Sequence, residues 1–139
     1  MGLFKKTASK PAPAPVAQSV SYPIEVVYWR DHYEALSQLI KSSDLDLNDL
    51  KASGNFSCKL VPEPDNEYDK NAVKVSAALK GRGKKTWYDI GYIPSEVNQE
   101  IRADIKKVVA GTHYWSLRIS FDARNGLILS IYLNESAFN

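Results

Sequence analysis

One cysteine and two histidines stand among the 139 residues. A single thiol, Cys58, excludes an internal disulfide. His32 and His113 lie too far from each other and from Cys58 to make a metal-ligand spacing. No apolar run approaches the roughly 20 residues that cross a bilayer. Met1 to Lys6 is too short and polar for a secretion signal, and Lys6 stands where myristoylation wants Ser or Thr. A cytoplasmic protein with no membrane partner is therefore expected. No glycine-rich cradle is followed by Lys-Ser/Thr, and Gly81-Arg82-Gly83 lacks the strand-to-helix setting of a nucleotide site. The acidic run Asp65-Asn66-Glu67-Tyr68-Asp69 lacks the central glycine and distant glutamate of a calcium loop. Asp65 and Asp69 remain a conceivable carboxylate pair, but no nucleophile or oxyanion donor accompanies them. The expectation is a protein that is not an enzyme, with no cofactor and no metal.

A uniform positive field is missing too. The net charge is +2, yet Lys5, Lys6 and Lys10 supply +3 within the first twenty residues, so the remainder is slightly acidic. Residues 21–69 carry a net of −6 and residues 70–139 a net of +5. Such a body does not hold duplex DNA by field alone. Nucleic-acid binding would need a local patch in the second half, helped by stacking.

What is present reads as one domain. Residues 1–21, with proline alternating from Pro11 to Pro15, read as a disordered leader. The domain is expected over 22–139. Ile24 to Trp29 is rich in β-branched and aromatic residues and predicts a strand. Asp31 and Glu34 have capping-box spacing for a helix over 32–41, with Tyr33, Leu36, Leu39 and Ile40 on its inner face. Ser43 caps a second short helix at 44–52, ended by Gly54. Period-two alternation then predicts strands at Phe56–Leu60, Val73–Leu79 and Trp87–Ile93. Pro94 stops the last of these, and Ser95 caps a helix whose stripe is Val97, Ile101, Ile105, Val108 and Val109. Gly111 closes it. Trp115–Phe121 and Leu127–Leu133 form a final hairpin about Arg124-Asn125-Gly126. Trp87 and Trp115 are expected in or beside the core, and Cys58 on an apolar strand face as an inert thiol. Strands and helices do not alternate regularly. The fold class is therefore mainly β with helices: a small OB-like, mostly antiparallel barrel of about six strands plus two to three helices.

The distinctive segment is Glu63-Pro64-Asp65-Asn66-Glu67-Tyr68-Asp69-Lys70-Asn71-Ala72-Val73-Lys74-Val75, followed by Gly91-Tyr92-Ile93-Pro94 and a helix. Pro62, just before this run, and Pro64 stiffen a polar loop between strands, and its Asn and Asp side chains are suited to bonding back to the backbone. Tyr68 sits in that loop without apolar neighbours. The pair of segments resembles the HIRAN domain family, in its stand-alone bacterial or phage form. The likeness rests on Glu63, Pro64, Asn66, Tyr68, Asp69, Asn71, Ala72, Val73 and Val75, then Gly91 to Pro94, and covers roughly residues 24–110. The resemblance implies a modified OB-like barrel and a binding module without catalysis. It also implies single-stranded DNA as ligand, with preference for a 3′-hydroxyl end, in a repair or replication setting with a repair or replication protein as partner. On the matching positions it implies that Asn66, Tyr68 and Asp69 meet the terminal nucleotide. Tyr68 would stack, and Asp69 would accept from the terminal hydroxyl while repelling a phosphate. Tyr92 would lie near DNA. Glu67 departs from the family's usual proline, and Ser95 stands where DNA-binding relatives carry a basic residue.

Outside the motif, Tyr28 and Trp29 are candidate aromatic contacts. Arg82, Lys84 and Lys85, with Lys80, form a basic tip that reads either as a phosphate clamp or as a solvated turn. Arg118 points away from its strand's apolar side and is a further candidate. Asn66, Asp69 and Asn71 also read as loop-fixing residues. Two other functions stay open: a protein-interaction adaptor without DNA affinity, and a metal-dependent nuclease accessory using Asp65 and Asp69.

Overall fold

The computed structural model describes residues 22–46, 53–81, 83–107, 115–122, 124 and 126–134. Two helices and six strands follow in chain order. They are β1 (Ile24–Glu25), a 3-10 turn (Trp29–His32), α1 (Tyr33–Lys41), β2 (Ser53–Pro62), β3 (Val73–Leu79), β4 (Tyr88–Tyr92), α2 (Asn98–Lys107), β5 (Trp115–Asp122) and β6 (Gly126–Leu133). The strands make one antiparallel sheet in the order β1-β6-β5-β2-β3-β4. It is a curled half-barrel, mainly β, as the alternation predicted.

The ten-residue β2 is central. Phe56 lies opposite Leu79 on β3 and Leu117 on β5, and Cys58 lies opposite Ala77 and Trp115. These residues, with Val75, Ile119, Leu129 and Ile131, point to one face and are buried there, apart from Leu79. Leu36, Leu39 and Ile40 of α1 and Ile101 of α2 complete the same core. Cys58 is fully buried, which pushes its thiol well above its ordinary range.

The first strand is much shorter than Ile24–Trp29. Val26 donates its N–H to Leu129 O at 2.8 Å, and the next residue, Val27, donates to Tyr92 O at 2.8 Å. The chain thus passes from β6 to the β4 edge within one residue, and this curls the sheet. A backbone that changes partner cannot continue as a strand. Tyr28 then takes φ 62° and the 3-10 turn follows. The extra residue Ile90, set against Val75/Ser76, adds a bulge that increases the local twist.

Other local expectations are corrected. Asp31 lies inside the 3-10 turn and α1 has no side-chain cap. Tyr33 is 53% exposed rather than inward. Ser43 accepts from Leu45 N–H and donates to Ile40 O, a turn that closes α1. Asp44 to Asp46 are not helical, and Gly54 belongs to β2; the rest of the expected helix at 44–52 lies outside the described residues. The α2 helix begins at Asn98, and Ser95 donates to Glu96 instead of capping it. Trp87 is half-buried but does not pack against the core. The leader, Arg82, Val108, Val109, Gly111 and His113 lie outside the described residues.

Closure of the sheet depends on Gly91. A Cβ there would stand 2.6 Å from Val26 Cγ1 and 2.6 Å from Val27 O. Gly91→Ala is therefore expected to part the first segment from β4 and to cost at least about 1–3 kcal/mol, as overpacking does, read as a lower urea midpoint.

Candidate nucleic-acid interface

The loop between β2 and β3 is built by its own side chains. Asn66 Oδ1 accepts the N–H groups of Tyr68 at 2.9 Å and Asp69 at 3.0 Å. Asp69 Oδ1 accepts Asn71 N–H at 2.8 Å. Backbone bonds Glu63 N to Ala72 O, Asn66 N to Glu63 O and Ala72 N to Asp69 O fix the loop's neck. Proline and side-chain acceptors thus replace the missing ladder bonds. Tyr68, with its backbone pinned, projects outward and is 90% exposed.

Below the loop lies α2. Asn98 is buried and donates its side-chain N–H to Asp69 Oδ2 at 2.8 Å. Arg102 donates to Lys70 O at 3.2 Å. Both carboxylate oxygens of Asp69 therefore serve the loop's architecture.

Glu63 links the loop to β4. Its Oε1 accepts from Tyr92 OH at 2.7 Å and from Asn66 Nδ2 at 3.1 Å, and its Oε2 lies 3.4 Å from Lys74 Nζ. Lys74 also meets Asp89 Oδ2 at 3.2 Å, and Asp89 Oδ1 accepts from Ser76 OH at 2.6 Å. One ammonium thus balances two carboxylates. The Tyr92 hydrogen bond is the main reason Glu63 stays below the usual carboxylate range, helped by Asn66 and Lys74 against some desolvation. Desolvation first, and then the Glu63 carboxylate, push Tyr92 up to about 12. Burial works against the charge of Lys74, but its two carboxylates outweigh it and the ammonium is held above its ordinary value. Asp89 is likewise desolvated, yet Ser76 and Lys74 hold it below its ordinary range.

The turn after β1 brings aromatic groups to the same place. Tyr28, 64% exposed, meets Tyr92 edge-on at 6.4 Å between ring centroids. His32 lies 5.8 Å from the Tyr92 ring and its Nδ1–H donates to Tyr28 O at 3.0 Å.

The model of the HIRAN domain matches residues 47–109. The chain carries a HIRAN domain. The match spans β2, the tyrosine loop, β3, β4 and α2, a narrower range than 24–110. No curated protein and no solved structure matches the chain significantly. The HIRAN domain is a DNA-binding module, typically without catalysis of its own. No helix among the described residues is long and apolar enough to cross a membrane.

The expected residues, of which Tyr28, Trp29 and Arg118 fall outside the matched HIRAN segment, divide. Asn66, Tyr68, Asp69, Tyr92 and Tyr28 are joined by one set of hydrogen bonds and ring contacts. Trp29 packs against the core, with Arg30 4.4 Å over its ring. Lys84 and Lys85 lie past the far end of β3, on the order of 20 Å from the loop for a seven-residue strand. Lys85 Nζ donates to Leu79 O and Gly81 O, which ties the tip together. Arg118 is exposed on the sheet's outer face, paired in register with Asn55 and Ser130. Among the described residues no group of three or more His, Cys, Asp or Glu is placed to hold a metal ion.

Sequence reasoning gave no role to Glu63 beyond the motif, and none to Lys74, Asp89, His32 or Asn98. Alternation does put Lys74 and Asp89 on the outward sides of their strands, but only the register makes them neighbours.

The Glu63 shift has a definite sign. Its folded-state value lies below the unfolded one, so its stabilising contribution is present above about pH 4.3 and is lost as pH falls through the folded value. Urea unfolding at neutral and at strongly acid pH should show Glu63→Gln destabilised relative to the parent at neutral pH, with the difference shrinking in acid. Asn98→Leu leaves Asp69 Oδ2 without its buried donor. It should cost about 1–3 kcal/mol and speed amide exchange at Asn71.

Proposed function

We propose that the tyrosine loop and the Tyr28–Tyr92 corner bind single-stranded DNA, with preference for a free 3′-hydroxyl end, in a repair or replication setting. The observation that carries this reading is Tyr68: a large ring 90% exposed on a loop whose backbone is fixed before any ligand arrives. A pre-set aromatic face loses little entropy on stacking with a base. Tyr28 and Tyr92 supply a second aromatic wall.

The charge around the loop favours an end over a chain interior. Asp65, Glu67 and Asp69 lie within it and Glu63 at its neck. Carboxylates accept from a hydroxyl and repel phosphate. Each Asp69 oxygen already accepts one bond and keeps a second lone pair. Asp69 therefore accepts the terminal hydroxyl while holding its own loop. Glu67, in place of the family's proline, strengthens the bias. The adaptor reading draws support from Leu79, 40% exposed beside the basic tip.

Fluorescence anisotropy with labelled oligonucleotides ending in a 3′-hydroxyl or a 3′-phosphate tests the proposal. The hydroxyl end should bind more tightly, and Tyr68→Ala should weaken it by roughly 5- to 150-fold, the loss of one base–aromatic stack. Equally feeble binding to both ends would sink the end-recognition reading and turn attention to a protein partner.

A further inference from the structure

The outer face of the sheet, opposite the core, carries a second set of residues that continues from the tyrosine corner. Its rows follow from the register. Tyr92 lies opposite Lys74, which lies opposite Val61; Asp89 lies opposite Ser76, which lies opposite Lys59. Ala78 lies opposite Ser57, and Ser57 opposite Ser116. The pair Ala77–Tyr88, continued by one residue, sets Trp87 opposite Ala78. Asn55 lies opposite Arg118, and the pair Phe56–Leu79, continued likewise, sets Lys80 beside Asn55. Successive rows are two residues, or about 7 Å, apart along the strands.

Trp87 is half-buried outside the core, and Lys59 Nζ stands 4.5 Å from its ring centroid. Among the described residues, Lys59 and Arg118 have no carboxylate within ion-pair distance, whereas Lys74 has two. Charge therefore changes along the face. The Tyr92 end holds two carboxylates on one ammonium, and the Trp87 end holds uncompensated cations. Glu25 shares the Arg118 row, but Ser130 on β6 stands between them.

We propose that this face is the path of the polynucleotide 5′ to the end held at Tyr68 and Tyr92, with Trp87 taking a base and Lys59, Arg118 and Lys80 taking phosphates. The inference rests on the single-stranded-DNA reading above and adds a direction to it. The terminal nucleotide lies at the acidic corner, and the phosphate-bearing chain leaves over the cations towards the basic tip. Aromatic and cationic groups succeed one another along the path, the combination that tracks a single strand with little regard to sequence.

Oligothymidylates of about two, six and sixteen residues, with 3′-hydroxyl ends, run from below the footprint of OB-type folds to its upper end. Affinity should rise with length. Lys59→Glu and Arg118→Glu should each weaken the longest ligand about tenfold or more and leave the dinucleotide unchanged. The slope of log affinity against log salt should fall by about 0.7 per cation removed. Lys59→Gln and Arg118→Gln serve if a reversal fails to fold, with circular dichroism as the check. Affinity already level at the dinucleotide, or charge variants that bind the longest ligand as the parent does, overturns the path. If Tyr68→Ala is still impaired in that case, the end-binding reading survives alone. Loss of long-ligand binding in the charge variants, with Tyr68→Ala unaffected, keeps the face as a DNA surface and removes the end reading.

Discussion

Val27 and Tyr92 exchange two backbone hydrogen bonds, of 2.8 and 2.9 Å, directly over Gly91. One residue earlier the same segment, which continues the opposite edge strand β1, is bonded to Leu129 on β6. A few consecutive residues therefore bring two edges together that are five strands apart in the sheet order. The rest of the tyrosine corner depends on this contact. It fixes where the chain turns at Tyr28, and the turn sets Tyr28 and His32 against the Tyr92 ring. It also protects backbone groups that an open edge would expose to unwanted pairing.

Glu63 performs the corresponding task for side chains. It stands at the neck of the loop and accepts from a loop residue and from the β4 tyrosine. The Asn66 that bonds it also holds Tyr68 and Asp69 by their backbones. The two segments that carry the HIRAN likeness are thus parts of one hydrogen-bonded unit. A unit of this kind can present an exposed ring in one orientation without burying the ring itself. From below, α2 adds Asn98, so the loop is held at its neck, within itself and at its base.

Much of the fold was legible because the strands alternate cleanly. Phe56, Cys58 and Leu60 point inward as their spacing requires, and so do Leu117, Ile119, Leu129 and Ile131. The misreadings lie where tertiary pairing overrides local preference. Ile24 to Trp29 has the composition of a strand but divides its bonds between two partners. Tyr33 has the spacing of a core residue but stays exposed at the start of α1. Trp87 has the size of a core residue but lies on the opposite face.

The candidate site was legible in part for the same reason. Loop chemistry is local, so the Asn and Asp side chains were readable as acceptors for their own backbone, and Tyr68 as a ring with no neighbour to bury it. The composition and periodicity of the chain determined a mainly antiparallel β fold, a stiff polar loop and a set of aromatic candidates. Only the tertiary structure decided that Glu63 joins the loop to Tyr92, that Tyr28 stands beside them, and that Lys59 and Arg118 lie on the outer face while Lys84 and Lys85 sit at its far end. Pairing register and sheet closure depend on contacts between residues far apart in the chain, and a one-dimensional pattern does not carry those distances.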